Sequence, residues 1–211
     1  MKRIAILLSG RGSNFEAIAA RIRAGTLDAG IAIVISNRPD ARGLETARTL
    51  GITAVSLPSK GLAREEYDTL LGDEVERHAV DLVCLAGFMR LLSPRFVRRF
   101  PLRILNIHPS LLPAFPGLDG QHQAVEHGVK VSGCTVHFVD EYLDAGPIVM
   151  QAAVPVLDGD DADALSTRIL AEEHRIYSEA IGLILGGNWR IEGRRVVAGK
   201  QSVEIDALDS A

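Results

Sequence analysis

Asn106 and His108 stand two residues apart in Asn106-Ile107-His108-Pro109-Ser110-Leu111-Leu112-Pro113. The stretch follows an apolar run, Leu102-Arg103-Ile104-Leu105, that reads as the end of a buried strand. Residues i and i+2 share a face on an extended backbone. An amide and an imidazole on one face can donate hydrogen bonds to a developing oxyanion, and the imidazole can also move a proton. Pro109 forbids continuation as a central strand, and Pro113 keeps the next turn open. A second segment, Asp144-Ala145-Gly146-Pro147, offers a carboxylate on a turn that could meet the ring. Such a carboxylate would favour the protonated imidazole by opposite-charge attraction. Taken alone, Asp144 also reads as an ordinary turn residue.

These groups need elements to position them. Residues 4–8 read as a first strand, 15–24 as a helix with Phe15, Ile18, Ala19 and Ile22 on one face, and 31–36 as a second strand. A short helix over 44–50 ends at Gly51; a strand over 53–57, a helix over 64–78 and a strand over 82–86 follow. Ser93-Pro94 forms an N-cap and first helical position for a helix reaching Arg99. The fifth strand is expected at 103–107, a loop at 109–120 and a short helix at 121–127. Two long strands, 131–139 and 147–156, precede a helix capped by Asp160 or Asp161 and running to about residue 185. Its stripe is Leu165, Ile169, Ile176, Ala180 and Ile184. A hairpin over 189–197 turns at Glu192-Gly193.

Strand and helix alternate through the first hundred residues, which predicts parallel, right-handed βαβ units. The later strands lack helices between them. The fold class is therefore α/β: a single-domain open twisted sheet with a parallel Rossmann-like N-terminal half and a mixed C-terminal part. The domain is expected to span residues 1–197, with a polar tail over 198–211. Open α/β sheets place ligands at the carboxyl edge, where His108 falls.

The chain of 211 residues is 47% hydrophobic and 24% charged, which suits one well-buried core. A net charge of −4 gives no bulk attraction to nucleic acid or anionic membrane. An anionic substrate would need a local cationic or N–H-rich site. Cys84 and Cys134 make no disulfide framework and read as small buried apolar residues. Their use suits a reducing cytoplasm. The apolar run after Met1-Lys2-Arg3 is too short for a signal peptide, and no run approaches a transmembrane length. His122, His127 and His137 sit on different elements without metal-ligand spacing, so no metal is expected. His137 shares a strand face with Thr135; it lines the cleft or is a satisfied structural histidine.

The loop Ser9-Gly10-Arg11-Gly12-Ser13-Asn14 follows a strand and opens a helix. Its glycines allow close backbone approach, and free N–H groups at a helix start attract anions. A dinucleotide fingerprint would want glycine where Phe15 stands and an acid where Ser36-Asn37 stands. A single phosphate fits better; a plain tight turn with an N-cap also fits. Arg95, Arg98 and Arg99 read as a solvated face, whereas Arg90 lies at the end of the fourth strand, on the same edge as His108.

Together these pieces resemble the folate-dependent formyltransferases, and among them the phosphoribosylglycinamide formyltransferases of purine biosynthesis. The resemblance covers about residues 6–177 and rests on five motifs. They are Ser9-Gly10-Arg11-Gly12-Ser13-Asn14, Leu85-Ala86-Gly87-Phe88-Met89-Arg90, the Asn106–Pro113 run, Val136-His137-Phe138-Val139 and Leu143-Asp144-Ala145-Gly146-Pro147. The Asn-x-His-Pro-Ser-Leu-Leu-Pro run does not by itself separate these enzymes from methionyl-tRNA formyltransferases or formyltetrahydrofolate hydrolases. The further domains of those relatives are expected to be absent.

The resemblance implies a division of labour. Gly12, Ser13 and Asn14 would hold the substrate phosphate, and Glu173 would reach the same substrate. Arg64, Met89, Arg90, Leu91, Leu92, Asn106 and the loop Asp140, Glu141, Tyr142, Leu143, Asp144 would form the folate side. Asn106, His108 and Asp144 would be catalytic. 10-Formyltetrahydrofolate would be a co-substrate, with no metal. The partners would be small molecules, with neither nucleic acid nor membrane, for a cytoplasmic monomer or weak homodimer. Two departures stand out: Leu118-Asp119-Gly120-Gln121-His122 replaces a more histidine-rich version, and Ala114 stands where lysine is frequent. A non-catalytic nucleotide-binding module, using the glycine loop alone, is the alternative; it would not turn over a formyl donor.

Overall fold

Arg3–Leu8 (β1) sends Ile4, Ile6 and Leu8 into one apolar cluster and Ala5 and Leu7 into another. A strand buried on both faces must be covered on both, and helices do this. The computed structural model describes residues 1–199; residues 200–211, which hold most of the expected tail, lie outside them. One layer receives Ser13–Arg23 (α1) and Arg42–Thr49 (α2), which follow β1 and Gly30–Ser36 (β2). The other receives Arg64–Arg77 (α3) and Pro94–Arg99 (α4), which flank Leu82–Leu85 (β4); Ala54–Ser56 is β3. Ile104–His108 (β5), Gly120–Glu126 (α5), Val131–Phe138 (β6), Ile148–Pro155 (β7), Ala162–Gly186 (α6), Trp189–Glu192 (β8) and Arg195–Ala198 (β9) complete the chain.

Among the described residues one nine-stranded sheet forms, in the order β3-β2-β1-β4-β5-β6-β7-β9-β8. β1 to β5 are parallel; β6 runs antiparallel to β5, and β7 antiparallel to β6. The expected single-domain α/β sheet with a parallel first half and a mixed second half is what the chain forms. The strand order reverses between β1 and β4, which opens a crevice beyond their carboxyl ends. Leu7, Leu85 and Asn106 lie level across β1, β4 and β5, so the next residues of all three leave one edge. Ser9 binds two of these exits together: its N–H donates to Gly87 O at 2.9 Å and its hydroxyl accepts from Met89 N at 2.8 Å.

Some element ends differ from expectation by a residue or two. β5 runs through His108 because a residue before proline stays extended, so the strand ends only at Pro109. α1 starts at Ser13, not at residue 15, because Gly12 takes the left-handed conformation (φ 83°) at its cap. Ser93 caps α4 by accepting from Phe96 N, and Asp161 caps α6 by accepting from Ala164 N. The 25-residue α6 lies across the sheet; Tyr177 on it shares its hydroxyl proton between Leu85 O and Leu105 O. Cys84 and Cys134 are buried in the core, where desolvation pushes both thiols up, Cys134 to about 12. No helix among the described residues is long and apolar enough to cross a membrane.

Candidate active site

Asn106 and His108 leave β5 on the face opposite Leu105 and Ile107, which pack into the core. Across the antiparallel ladder they meet His137 and Thr135 of β6. His108 is 4% exposed, and both its ring nitrogens face oxygens. Nε2 lies 2.9 Å from Phe115 O, and Nδ1 lies 3.5 Å from Asp144 Oδ2. Asp144 arrives on a turn that passes very close to β6. A Cβ on Gly146 would sit 1.9 Å from Phe138 O, so only glycine fits there. Asp144 itself has φ 48°, a conformation that aspartate tolerates better than most residues. Its Oδ2 accepts from Gly117 N at 2.8 Å, and its Oδ1 lies 3.7 Å from His137 Nε2. The carboxylate thus joins the β5 exit, the loop after it and β6.

A second network holds the loop after His108. Thr135 Oγ1 donates to Ser110 O at 2.7 Å and accepts from Leu112 N at 3.0 Å and Gln151 Nε2 at 2.9 Å. One proton and two lone pairs are all in use, which is everything a hydroxyl can offer. Gln151 faces Thr135 in the β6–β7 register and also donates to Leu112 O at 3.0 Å. Ser110 Oγ in turn donates to Ala114 O at 2.5 Å and Phe115 O at 3.3 Å, which carries the brace to the carbonyl that His108 meets.

The glycine loop leaves β1 at the same sheet edge. No side chain caps α1, so its first N–H groups remain available to an anion. A Cβ on Gly12 would lie 3.2 Å from both Gly43 Cα and Leu8 Cδ2. Asn14 does not face solvent: its Nδ2 donates to Glu173 Oε2 at 2.8 Å.

The formyl transferase family matches residues 2–181 of this chain. The chain belongs to that family. Phosphoribosylglycinamide formyltransferase of Escherichia coli (strain K12) is 44% identical over 192 residues, which are 90% of this chain and 88% of that protein. The trifunctional purine biosynthetic protein adenosine-3 of Drosophila melanogaster is 49% identical over 189 residues. Those residues are 88% of this chain but 14% of that protein, so the chain spans about a seventh of its length. The crystal structure of glycinamide ribonucleotide transformylase 1 from Symbiobacterium toebii superposes with a TM-score of 0.92 at 55% identity, covering 94% of each chain.

In this formyl transferase, the residues expected on the folate side fall into two groups. Met89, Arg90, Leu91 and Leu92 follow β4, with Met89 and Leu91 exposed. The Arg90 guanidinium lies 4.6 Å from the centre of the Tyr67 ring, one helical turn after the exposed Arg64 at the start of α3. The loop 140–144 is tied to α4 by Arg98, which pairs with Glu141 at 2.7 Å. Asp140 Oδ1 accepts from Tyr142 N at 2.9 Å, and Tyr142 and Leu143 are exposed. Asp119 and His122, within the departing stretch, border an open depression of about 450 Å³ between α5 and α6.

Three parts of the site carried no decisive sequence signal. The Thr135–Gln151 brace and the Ser9–Met89 bond depend on strand register. His137 had an alternation signal for its face but none for its partner.

Glu173 lies on the inward stripe of α6 and is 7% exposed. Burial pushes its carboxyl up against the opposing pull of the Asn14 bond. The native group therefore binds a proton more readily than its unfolded counterpart. Its contribution to stability falls as pH rises from the ordinary carboxylate range through the raised value. Glu173→Gln keeps an oxygen for Asn14 and removes the charge. The variant is expected to melt higher than the parent near pH 8, at about 2–4 °C per kcal/mol for a chain of this size, with the gap closing toward about pH 4. Parallel melting curves across that range would remove the charge-burial argument.

Proposed function

We propose that this formyl transferase moves the formyl group of 10-formyltetrahydrofolate to the amine of 5-phosphoribosylglycinamide. The observation that carries the reading is Asn106 and His108 on one face of β5 at the carboxyl edge, level with the exits of β1 and β4, with Asp144 3.5 Å from the His108 ring. Family membership, the likeness to phosphoribosylglycinamide formyltransferases and the uncapped α1 start support it. The backbone N–H groups of Gly12, Ser13 and Asn14 take the phosphate, Glu173 reaches the same substrate from behind the Asn14 amide, and 64, 89–92 and 140–144 flank the folate.

The amine attacks the formyl carbon, and a tetrahedral oxyanion forms. The Asn106 amide N–H donates to it. Protonated His108 donates as well, and its Nε2–H exchanges the Phe115 carbonyl for the oxyanion. The Asp144 carboxylate lies 3.5 Å from Nδ1, where its negative charge faces the ring. The bond from carbon to the folate nitrogen then breaks. That nitrogen takes up one proton and the attacking amine gives up one, relayed by His108 or a water.

The test follows folate absorbance with the formyl donor and each of three acceptors: glycinamide ribonucleotide, charged initiator tRNA and water. Turnover with the ribonucleotide alone is expected. Turnover with water alone would make the chain a deformylase, the activity named for a Pseudomonas syringae relative that matches at 30% identity and a TM-score of 0.88.

Gly12→Val is expected to weaken ribonucleotide binding far more than folate binding. A branched Cβ at φ 83° presses on Gly43 and Leu8 and moves the N–H groups of the α1 start. Calorimetry on the folded variant checks this; equal losses for both ligands would remove the phosphate assignment.

A further inference from the structure

Asn106 has two ends of nearly equal shape and opposite chemistry. The Nδ2 end donates twice, and Oδ1 only accepts. An oxyanion needs the donor, so the way the amide is turned decides whether the residue helps or hinders.

His137 makes that choice. It sits directly opposite Asn106 in the β5–β6 ladder and is 2% exposed. Its Nδ1 lies 2.9 Å from Phe138 O. A carbonyl can only accept, so Nδ1 carries hydrogen. Burial lowers the affinity of the ring for a second proton. Asp144 and Asp140 pull the other way and His108 pushes with burial, but Asp144 Oδ1 at 3.7 Å is beyond hydrogen-bond reach. Nε2 is left as a lone pair 3.2 Å from Asn106 Nδ2. The reversed amide would set Oδ1 lone pairs against that lone pair. One Asn106 N–H is thereby used, and among the described residues the side chain makes no other hydrogen bond.

We propose that His137 is a positioning residue for formyl transfer: locked as an acceptor by Phe138 O, it turns the Asn106 amide so that the second N–H is free to meet the formyl oxygen. The inference rests on the function proposed above. Thr135, the next outward residue of the same face, holds the loop after His108. One face of β6 therefore sets both donors.

Two substitutions separate this role from simple filling of space. In His137→Asn the short amide reaches the place of Nδ1 and keeps the bond to Phe138 O, but offers nothing at the place of Nε2. In His137→Gln the longer side chain brings an oxygen there. With both variants shown to be folded by circular dichroism, His137→Gln is expected to stay within about 3-fold of the parent kcat. His137→Asn should lose about 10-fold or more in kcat with KM for both substrates little changed, the pattern of an interaction made in the transition state. Equal kcat for the two variants, or a larger loss in the Gln variant, would overturn the proposal. If the Asn variant does not fold, His137→Leu takes its place in the comparison.

A second readout does not depend on turnover. The side-chain amide protons of Asn106, assigned by their loss in Asn106→Asp, should show one proton slowed in exchange in the parent and the Gln variant. In the Asn variant both should exchange alike. Absence of parental activity with a slowed proton would sink the function and leave the His137 bond standing. Parental activity with two equivalent protons would sink the positioning role alone.

Discussion

His108→Ala is expected to keep the fold and to turn over about 10²-fold or more slowly than the parent, the scale for loss of a placed acid, base or oxyanion donor. The ring is buried at the last residue of β5, with Phe115 O at Nε2 and Asp144 at Nδ1. Truncation therefore carries a structural cost, which a strand-end position alone does not suggest. The Phe115 carbonyl would lose the His108 bond and keep the one from Ser110, and the Asp144 carboxylate would keep the one from Gly117 N, so the cost is that of one hydrogen bond and a small cavity, about 1–3 kcal/mol. Gly117 N, Thr135 and Ser110 continue to brace the loop, so the loss stays local. Circular dichroism and a thermal melt measure the structural part. Single-turnover rates at saturating substrates measure the chemical part. A folded variant with near-parental single-turnover rates would make His108 a structural residue.

Asp144→Asn should also cost about 10²-fold in kcat, and for a cleaner reason. The amide that replaces the carboxylate still has an oxygen for Gly117 N, so the turn and the loop keep their tie. Only the charge beside His108 is lost. If that charge favours the donating form of the ring, activity should fall away at lower pH than in the parent. The alkaline limb of the kcat profile then moves toward acid, while the acid limb, set partly by the substrate amine, stays. His137 faces the same carboxylate, so it also feels the loss of that charge. Following both histidines by NMR beside the rate profile assigns the change. An unmoved alkaline limb with unmoved histidine signals would remove Asp144 from the proposed mechanism.

Much of the frame was legible because it rests on short-range periodicity. The alternation of 131–138 separates Cys134, Val136 and Phe138, which enter the core, from Thr135 and His137, which do not. The stripe Leu165, Ile169, Ile176, Ala180 and Ile184 marks the buried face of α6. Glycine and proline set the punctuation at Gly12, Ser93-Pro94 and Pro109. Spacing alone put Asn106 and His108 on one face, because extended backbone has period two.

Contacts between distant segments were settled by tertiary structure. Asn14 meets Glu173 across 159 residues only because α1 and α6 pack on the same face of the sheet. Asp144 reaches His108 because its turn passes Phe138 at a distance that Gly146 alone permits. The β5–β6 register decides that His137 faces Asn106 and that Thr135 faces His108. A slip of one residue would keep every apolar count and lose both pairs. Side-chain type determined what each group of this protein can do, and period determined which face it takes. Only packing decided which groups meet, because hydrogen bonds and ion pairs act over a few ångströms and sequence order carries no such distance.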